Sequence, residues 1–151
     1  MSKCSDGTHV CSGHLTSSSV HQTLDELDFE RGIWTAALNG DLLDVKKHLD
    51  RNSDCDLRDS SGYTALHYSS RNGHKDICEL LLERGANPNA ITNSGGVTSL
   101  HRASYKGHED IVKLLLKHGA DPKIQDRDGK TVLHKVRYIF IYLSILSQKI
   151  P

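Results

Sequence analysis

One tetrapeptide recurs three times along this chain. Thr64-Ala65-Leu66-His67 reappears as Thr98-Ser99-Leu100-His101 and again as Thr131-Val132-Leu133-His134, spaced by 34 and then 33 residues. Between the first two copies the punctuation also repeats. Gly73-His74 matches Gly107-His108, Leu80-Leu81-Leu82 matches Leu114-Leu115-Leu116, and Gly85-Ala86-Asn87-Pro88 matches Gly119-Ala120-Asp121-Pro122. A period near 33 with constant punctuation specifies a stack of like units rather than a globular enzyme fold. In such a chain a residue that repeats in register belongs to the scaffold, and a residue that varies is free for another role.

The period reads as local physics. Thr64 is placed to cap a helix, its hydroxyl accepting from an unpaired N–H of the first turn. A short helix follows and stops at Gly73. From His74 to Glu83, Ile77, Leu80 and Leu81, with Cys78 and Leu82 beside them, form the apolar stripe of a helix that buries one side. Gly85 stands where a helix ends in a left-handed residue, and Pro88 prevents its continuation. Ser94-Gly95-Gly96 then makes a turn. It replaces the Asp-x-x-Gly form of the other two turns and adds one residue, so the turn before the third unit should be enlarged. Each unit is therefore helix, turn, helix and extended β-turn loop, and only stacking can bury its apolar face.

Gly-x-Thr-x-Leu-His, then Gly-His, then Leu-Leu-Leu-x-x-Gly-Ala-Asn/Asp-Pro resembles the signature of the ankyrin repeat family, over residues 30–135. Ala65, Ser99 and Val132 stand where the motif usually has Pro. The run from Leu27 to Asp41 narrows the resemblance to the opening of one small member. The family implies an all-α solenoid of helix-turn-helix units, in which Thr and His of the motif tie neighbouring loops together. A degenerate first unit lies upstream: Gly40 falls opposite Gly73, Ile33 opposite Leu66, Asn52 opposite Gly85, and Trp34 takes the slot of His67. Asn tolerates left-handed geometry better than other non-glycine residues. Thr23 and Glu26 fit a capping box, with Leu24, Leu27 and Phe29 available to pack.

The resulting division is a disordered N-terminal tail over 1–22, a repeat domain over 23–135 and an apolar non-repeat tail over 136–151. Within the domain lie a lead-in helix at 23–29, repeats at 30–62, 63–96 and 97–129, and a partial fourth at 130–135. After His134 the repeat breaks off into aromatic and β-branched residues. One reading is an apolar helix or strand covering the open end of the third repeat. The other is a truncated or retained-intron product, because Lys135-Val136-Arg137 can be encoded by a splice-donor sequence. A membrane span is the weakest reading, since the run from Val136 to Leu146 carries Arg137 and is far short of the roughly 20 residues needed.

Lysine plus arginine and aspartate plus glutamate each number 19, giving a formal net charge of zero. With no Arg/Lys stripe in the repeats, bulk attraction to nucleic acid or anionic membrane has no support. Residues 1–23 lack the apolar core of a signal peptide. The four cysteines are poorly placed for disulfides, so reduced thiols in the cytoplasm or nucleus are expected. Cys4, His9, Cys11 and His14 have ligand types suited to tetrahedral zinc. The loops between them are short and no apolar residues surround them, so the composition favours a disordered tail. No nucleophile elbow or phosphate loop is present. Histidines that recur in register are scaffold rather than catalytic groups, so neither enzyme activity nor a cofactor is expected.

Recognition is the remaining function. The resemblance implies a concave face built from loop tips and the first helix of each unit. Positions that vary there are Tyr68, Arg71 and Asn72 in one unit and Arg102, Tyr105 and Lys106 in the next, with Thr35, Leu38 and Asn39 in the first. Tyr63 and Val97 sit at the loop-to-helix step. Tyr and Arg are the types most enriched at binding hot spots. The expected role is a monomeric adaptor that binds a protein partner. The alternative is a target-selecting subunit of a ubiquitin-ligase or transcription-regulatory assembly. Asn89, in its Gly-Ala-Asn-Pro-Asn-Ala context, resembles the asparagine that intracellular hydroxylases modify in this family; a loop-stabilising asparagine is the competing reading.

Overall fold

The computed structural model describes residues 32–52, 54–136, 143 and 145–147. The N-terminal tail with Cys4, His9, Cys11 and His14, and the lead-in helix, lie outside the described residues. Among the described residues, seven helices with defined ends follow one another: α1 (Ile33–Asn39), α2 (Leu42–Asn52), α3 (Ala65–Asn72), α4 (Lys75–Glu83), α5 (Ser99–Lys106), α6 (Glu109–Lys117) and α7 (Val132–Lys135). No strand occurs among the described residues, and the architecture is an all-α stack of helical hairpins. The short helices α1, α3, α5 and α7 pack side by side as one layer, and α2, α4 and α6 form a second layer behind them.

The core runs continuously between these layers. Leu66, Leu81, Leu100 and Leu115 are fully buried, Leu66 and Leu100 sharing one place in successive units and Leu81 and Leu115 another. Ala65, Ala103 and the half-buried face of Leu80 fill the gaps between them. Ile145 is fully buried and belongs to this same cluster, while most of the apolar tail over 136–151 lies outside the described residues. In the first two hairpins the closing glycine packs against a histidine of the next unit, Gly40 against His74 and Gly73 against His108. Gly73 has φ +83°, and a Cβ there would lie 2.8 Å from the His108 ring of the next unit. Glycine is thus required twice over, for its left-handed backbone and for the imidazole packed against it.

Side chains and backbone then lock successive units. His74 Nε2 donates to the Leu38 carbonyl at 3.0 Å and His108 Nε2 to the Arg71 carbonyl at 3.1 Å. The turns pair as well, with Asn93 N donating to Ser61 O at 2.9 Å and Arg127 N to Gly95 O at 3.0 Å. The added residue near Gly95 is visible in the turn geometry. Asp59 N bonds Tyr63 O and Asp126 N bonds Lys130 O, whereas Thr92 N reaches one residue further, to Val97 O.

Candidate interaction surface

The motif threonine and histidine work as one device. Thr98 Oγ1 accepts from His101 N at 3.3 Å, and the His101 ring turns back so that Nδ1 accepts from Thr98 N at 3.3 Å. With Nδ1 as acceptor, the ring proton is on Nε2, which donates to the Lys130 carbonyl at 3.4 Å. His67 repeats this, taking Thr64 N at 3.2 Å and giving to Val97 O at 3.0 Å. Burial holds the His67 pKa down to about 4, and the charge of Arg102 pushes the same way. A neutral ring bonded at both nitrogens has no spare group for catalysis. In the first unit Trp34 is buried and its Nε1–H donates to the Leu57 carbonyl at 3.0 Å.

Ahead of these scaffold residues stands an aromatic and cationic cluster that crosses two units. Tyr68 donates its phenol to Asp59 Oδ2 at 2.6 Å, and burial, then this bond, raises its pKa. The Tyr63 ring stands 5.5 Å from the Tyr68 ring and meets His67 edge-on at 5.6 Å. Arg102, one unit further on, places its guanidinium carbon 5.2 Å from the Tyr63 ring centroid and donates to the Tyr63 hydroxyl. The Arg102 Nε is buried without a hydrogen bond. Arg71, Lys106 and Tyr105 are exposed, Tyr105 by 49%. Next to this cluster, an open pocket of about 690 Å³ is lined by Arg102, Tyr105, Lys130 and His134 with Val97 and Val136.

The structure therefore brings Tyr63, Tyr68 and Arg102 into contact and sets Tyr105 beside them. Asn72 is exposed and also serves the scaffold, since its Nδ2 donates to the Leu38 carbonyl at 2.8 Å and so links two units. Asn89 is engaged at both ends of its carboxamide, with Oδ1 accepting from Asp121 N at 2.7 Å and Nδ2 donating to Gly119 O at 3.1 Å. Its counterpart one unit earlier, Asp56, accepts from Asn87 N at 2.9 Å. Lys130 and His134 line the pocket although the variable-position pattern does not include them. A sequence signal exists, because Lys130 occupies the loop-to-helix step also held by Tyr63 and Val97. Cys55 and Cys78 are free buried thiols, each with its pKa raised chiefly by burial. Among the described residues no cluster of His, Cys, Asp or Glu has a metal-binding arrangement, and no helix is long and apolar enough to cross a membrane.

The family model described as ankyrin repeats (3 copies) matches residues 33–126, and the chain belongs to the ankyrin repeat family. Such repeats generally mediate protein–protein interaction and are typically non-enzymatic. Among individual proteins, the chain is 56% identical to human ankyrin repeat domain-containing protein 39 over 90 residues, covering 60% of this chain and 49% of that protein. It is 59% identical to the protein of the same name from Bos taurus over 71 residues, covering 47% of this chain and 38% of that one. The matches thus span half or less of these relatives' length.

Proposed function

We propose that the chain is a non-catalytic adaptor that binds a protein partner through the face formed by α3, α5 and the adjoining turns. The observation that carries this reading is the Tyr63–Arg102 stack beside exposed Tyr105. Large rings and a guanidinium are fixed in place by contacts across two units, so little side-chain freedom remains to be lost on binding. The scaffold histidines are consumed by loop bonds, which leaves the variable positions to carry recognition. Asn89 remains a modification acceptor only by resemblance; its engaged carboxamide supports the loop-tying role. The expected setting is a monomer in the cytoplasm or nucleus.

Proximity labelling in cells, comparing the wild type with Arg102→Glu/Tyr105→Ala, tests the proposal. The double variant should lose the labelled partner while its far-UV circular dichroism keeps the wild-type helical signal. An unchanged set of labelled proteins refutes the assigned face. A partner that co-elutes at fixed stoichiometry through size exclusion would favour the subunit of a larger regulatory assembly over a free-standing adaptor.

A further inference from the structure

Acidic side chains are confined to one of the two helical layers, which carries basic residues as well. Every acidic residue of the seven helices lies on α2, α4 or α6, while α1, α3, α5 and α7 carry none. The inner layer instead presents Arg71, Arg102 and Lys106. In a chain whose formal charge is zero, this is placement rather than composition. Two loop-tip carboxylates on this side are spent internally. Asp59 accepts from Ser61 N and Tyr63 N through Oδ1 and from the Tyr68 hydroxyl through Oδ2. Asp126 accepts from Asp128 N and Lys130 N at 2.9 Å each.

The pocket between α5 and α7 concentrates this bias. Among the described residues none that lines it is acidic, and Arg102, Lys130 and His134 surround it. Thr131 N donates to His134 Nδ1 at 3.1 Å, which puts the ring proton on Nε2. In His67 and His101 that same nitrogen donates to the next loop's carbonyl. His134 is exposed, and no described carbonyl takes that place. Val97, Val136 and the Tyr105 ring supply apolar contact beside these donors.

Resting on the adaptor reading, we propose that this pocket receives a glutamate or aspartate side chain, flanked by an aliphatic residue, from an acidic extended segment of the protein partner. The carboxylate takes hydrogen bonds from Lys130 and the His134 Nε2–H under the field of Arg102. The neighbouring aliphatic side chain packs on Tyr105 and the valines.

Fluorescence anisotropy on the full chain tests this with two fluorescein-labelled peptides, one alternating Glu and Leu and its twin alternating Gln and Leu. The acidic peptide should bind about tenfold tighter, as expected for charge-assisted hydrogen bonds. The preference should shrink at high salt. Lys130→Glu, at an exposed side chain, should abolish the preference. Equal binding of the twins, retention of the preference in Lys130→Glu, or tighter binding of a single-stranded DNA oligonucleotide would overturn the proposal. If both twins bind equally and Tyr105→Ala removes both, the acid selectivity falls while the interaction face stands. If neither peptide binds, the proposal also falls, and the labelling experiment judges the face independently.

Discussion

Trp34 in the first unit and His67 in the second occupy one structural slot with different chemistry. Both rings are buried, and both donate to a carbonyl of the following loop at 3.0 Å. His67 also accepts, from the N–H of its own helix cap. In the first unit the cap is Gly32, which has no side chain and makes no capping bond. Indole is a donor only, so it suits a place where no Thr-like cap is present. His67 thus carries a two-way coupling that fastens a loop on each side of the ring, whereas the Trp34 indole donates to Leu57 and adds bulk. The two bonds also differ in reach: Leu57 lies within the same unit as Trp34, whereas Val97 opens the unit after that of His67.

Removing hydrogen bonds while keeping bulk should separate the two slots most sharply. His67→Leu strands the buried Thr64 N–H and takes from the Val97 carbonyl one of its two donors, the other being Thr92 N, and should cost about 4 kcal/mol. Trp34→Phe removes the donor to the Leu57 carbonyl, which is at a solvent-accessible residue, and should cost about 1 kcal/mol. Urea unfolding followed by circular dichroism measures both, and equal losses would break the comparison.

Protonation is the next largest lever. His67 has a folded pKa of about 4 against an ordinary 6.5. A depressed histidine pKa means the neutral ring is favoured by folding, so its contribution is complete above pH 6.5 and is lost as pH falls through about 4. The loss should approach about 3 kcal/mol for this buried group. Urea midpoints across that window should fall in the wild type and in Trp34→Phe alike. His67→Gln should show a flatter profile; an unchanged slope there would assign the acid sensitivity to other groups.

What is readable in the sequence follows the same division between repeated and singular features. The period, the caps, the helix ends and the buried leucines recur, and recurrence is visible without coordinates. The scaffold role of the histidines is readable for the same reason. The contact of Arg102 with Tyr63 is not, because it joins residues 39 apart and depends on how one hairpin sits over the next. The bond of Asn72 to Leu38 is not readable either, because a varying, exposed position can still spend its amide on the neighbouring unit. Asp56 and Asn89 share an inter-unit bond although their side chains differ, and only the geometry reveals that equivalence.

Two glycines refine the comparison between closing points of a hairpin. Gly85 has φ +92° with nothing within 4 Å of where a methyl would stand, and Gly73 has φ +83° with the His108 ring in the way. Gly85→Ala should therefore cost only the left-handed penalty of about 1 kcal/mol. Gly73→Ala should lose about 1 kcal/mol more, from displacing an imidazole that bonds the Arg71 carbonyl. Combining Gly73→Ala with His108→Ala should cost less than the sum of the two single changes, as expected for side chains in contact. Strict additivity would show that the ring and the glycine are not coupled.

The smallest effect should come from the enlarged turn. Deleting Gly95 shortens Thr92–Val97 to the length of the turns headed by Asp59 and Asp126, but also removes the carbonyl that accepts from Arg127 N. Thr92 Oγ1 accepts from Val97 N, whereas Asp59 Oδ1 gathers two donors, Ser61 N and Tyr63 N. The deletion alone should therefore cost about 1 kcal/mol for one lost bond between turns. Adding Thr92→Asp should recover most of it, because a carboxylate can gather the extra N–H groups of the tighter turn. Thermal melts of the wild type, the deletion and the combined variant test this order. If the combined variant melts no higher than the deletion, the longer turn is needed for its pairing with Arg127 rather than merely tolerated.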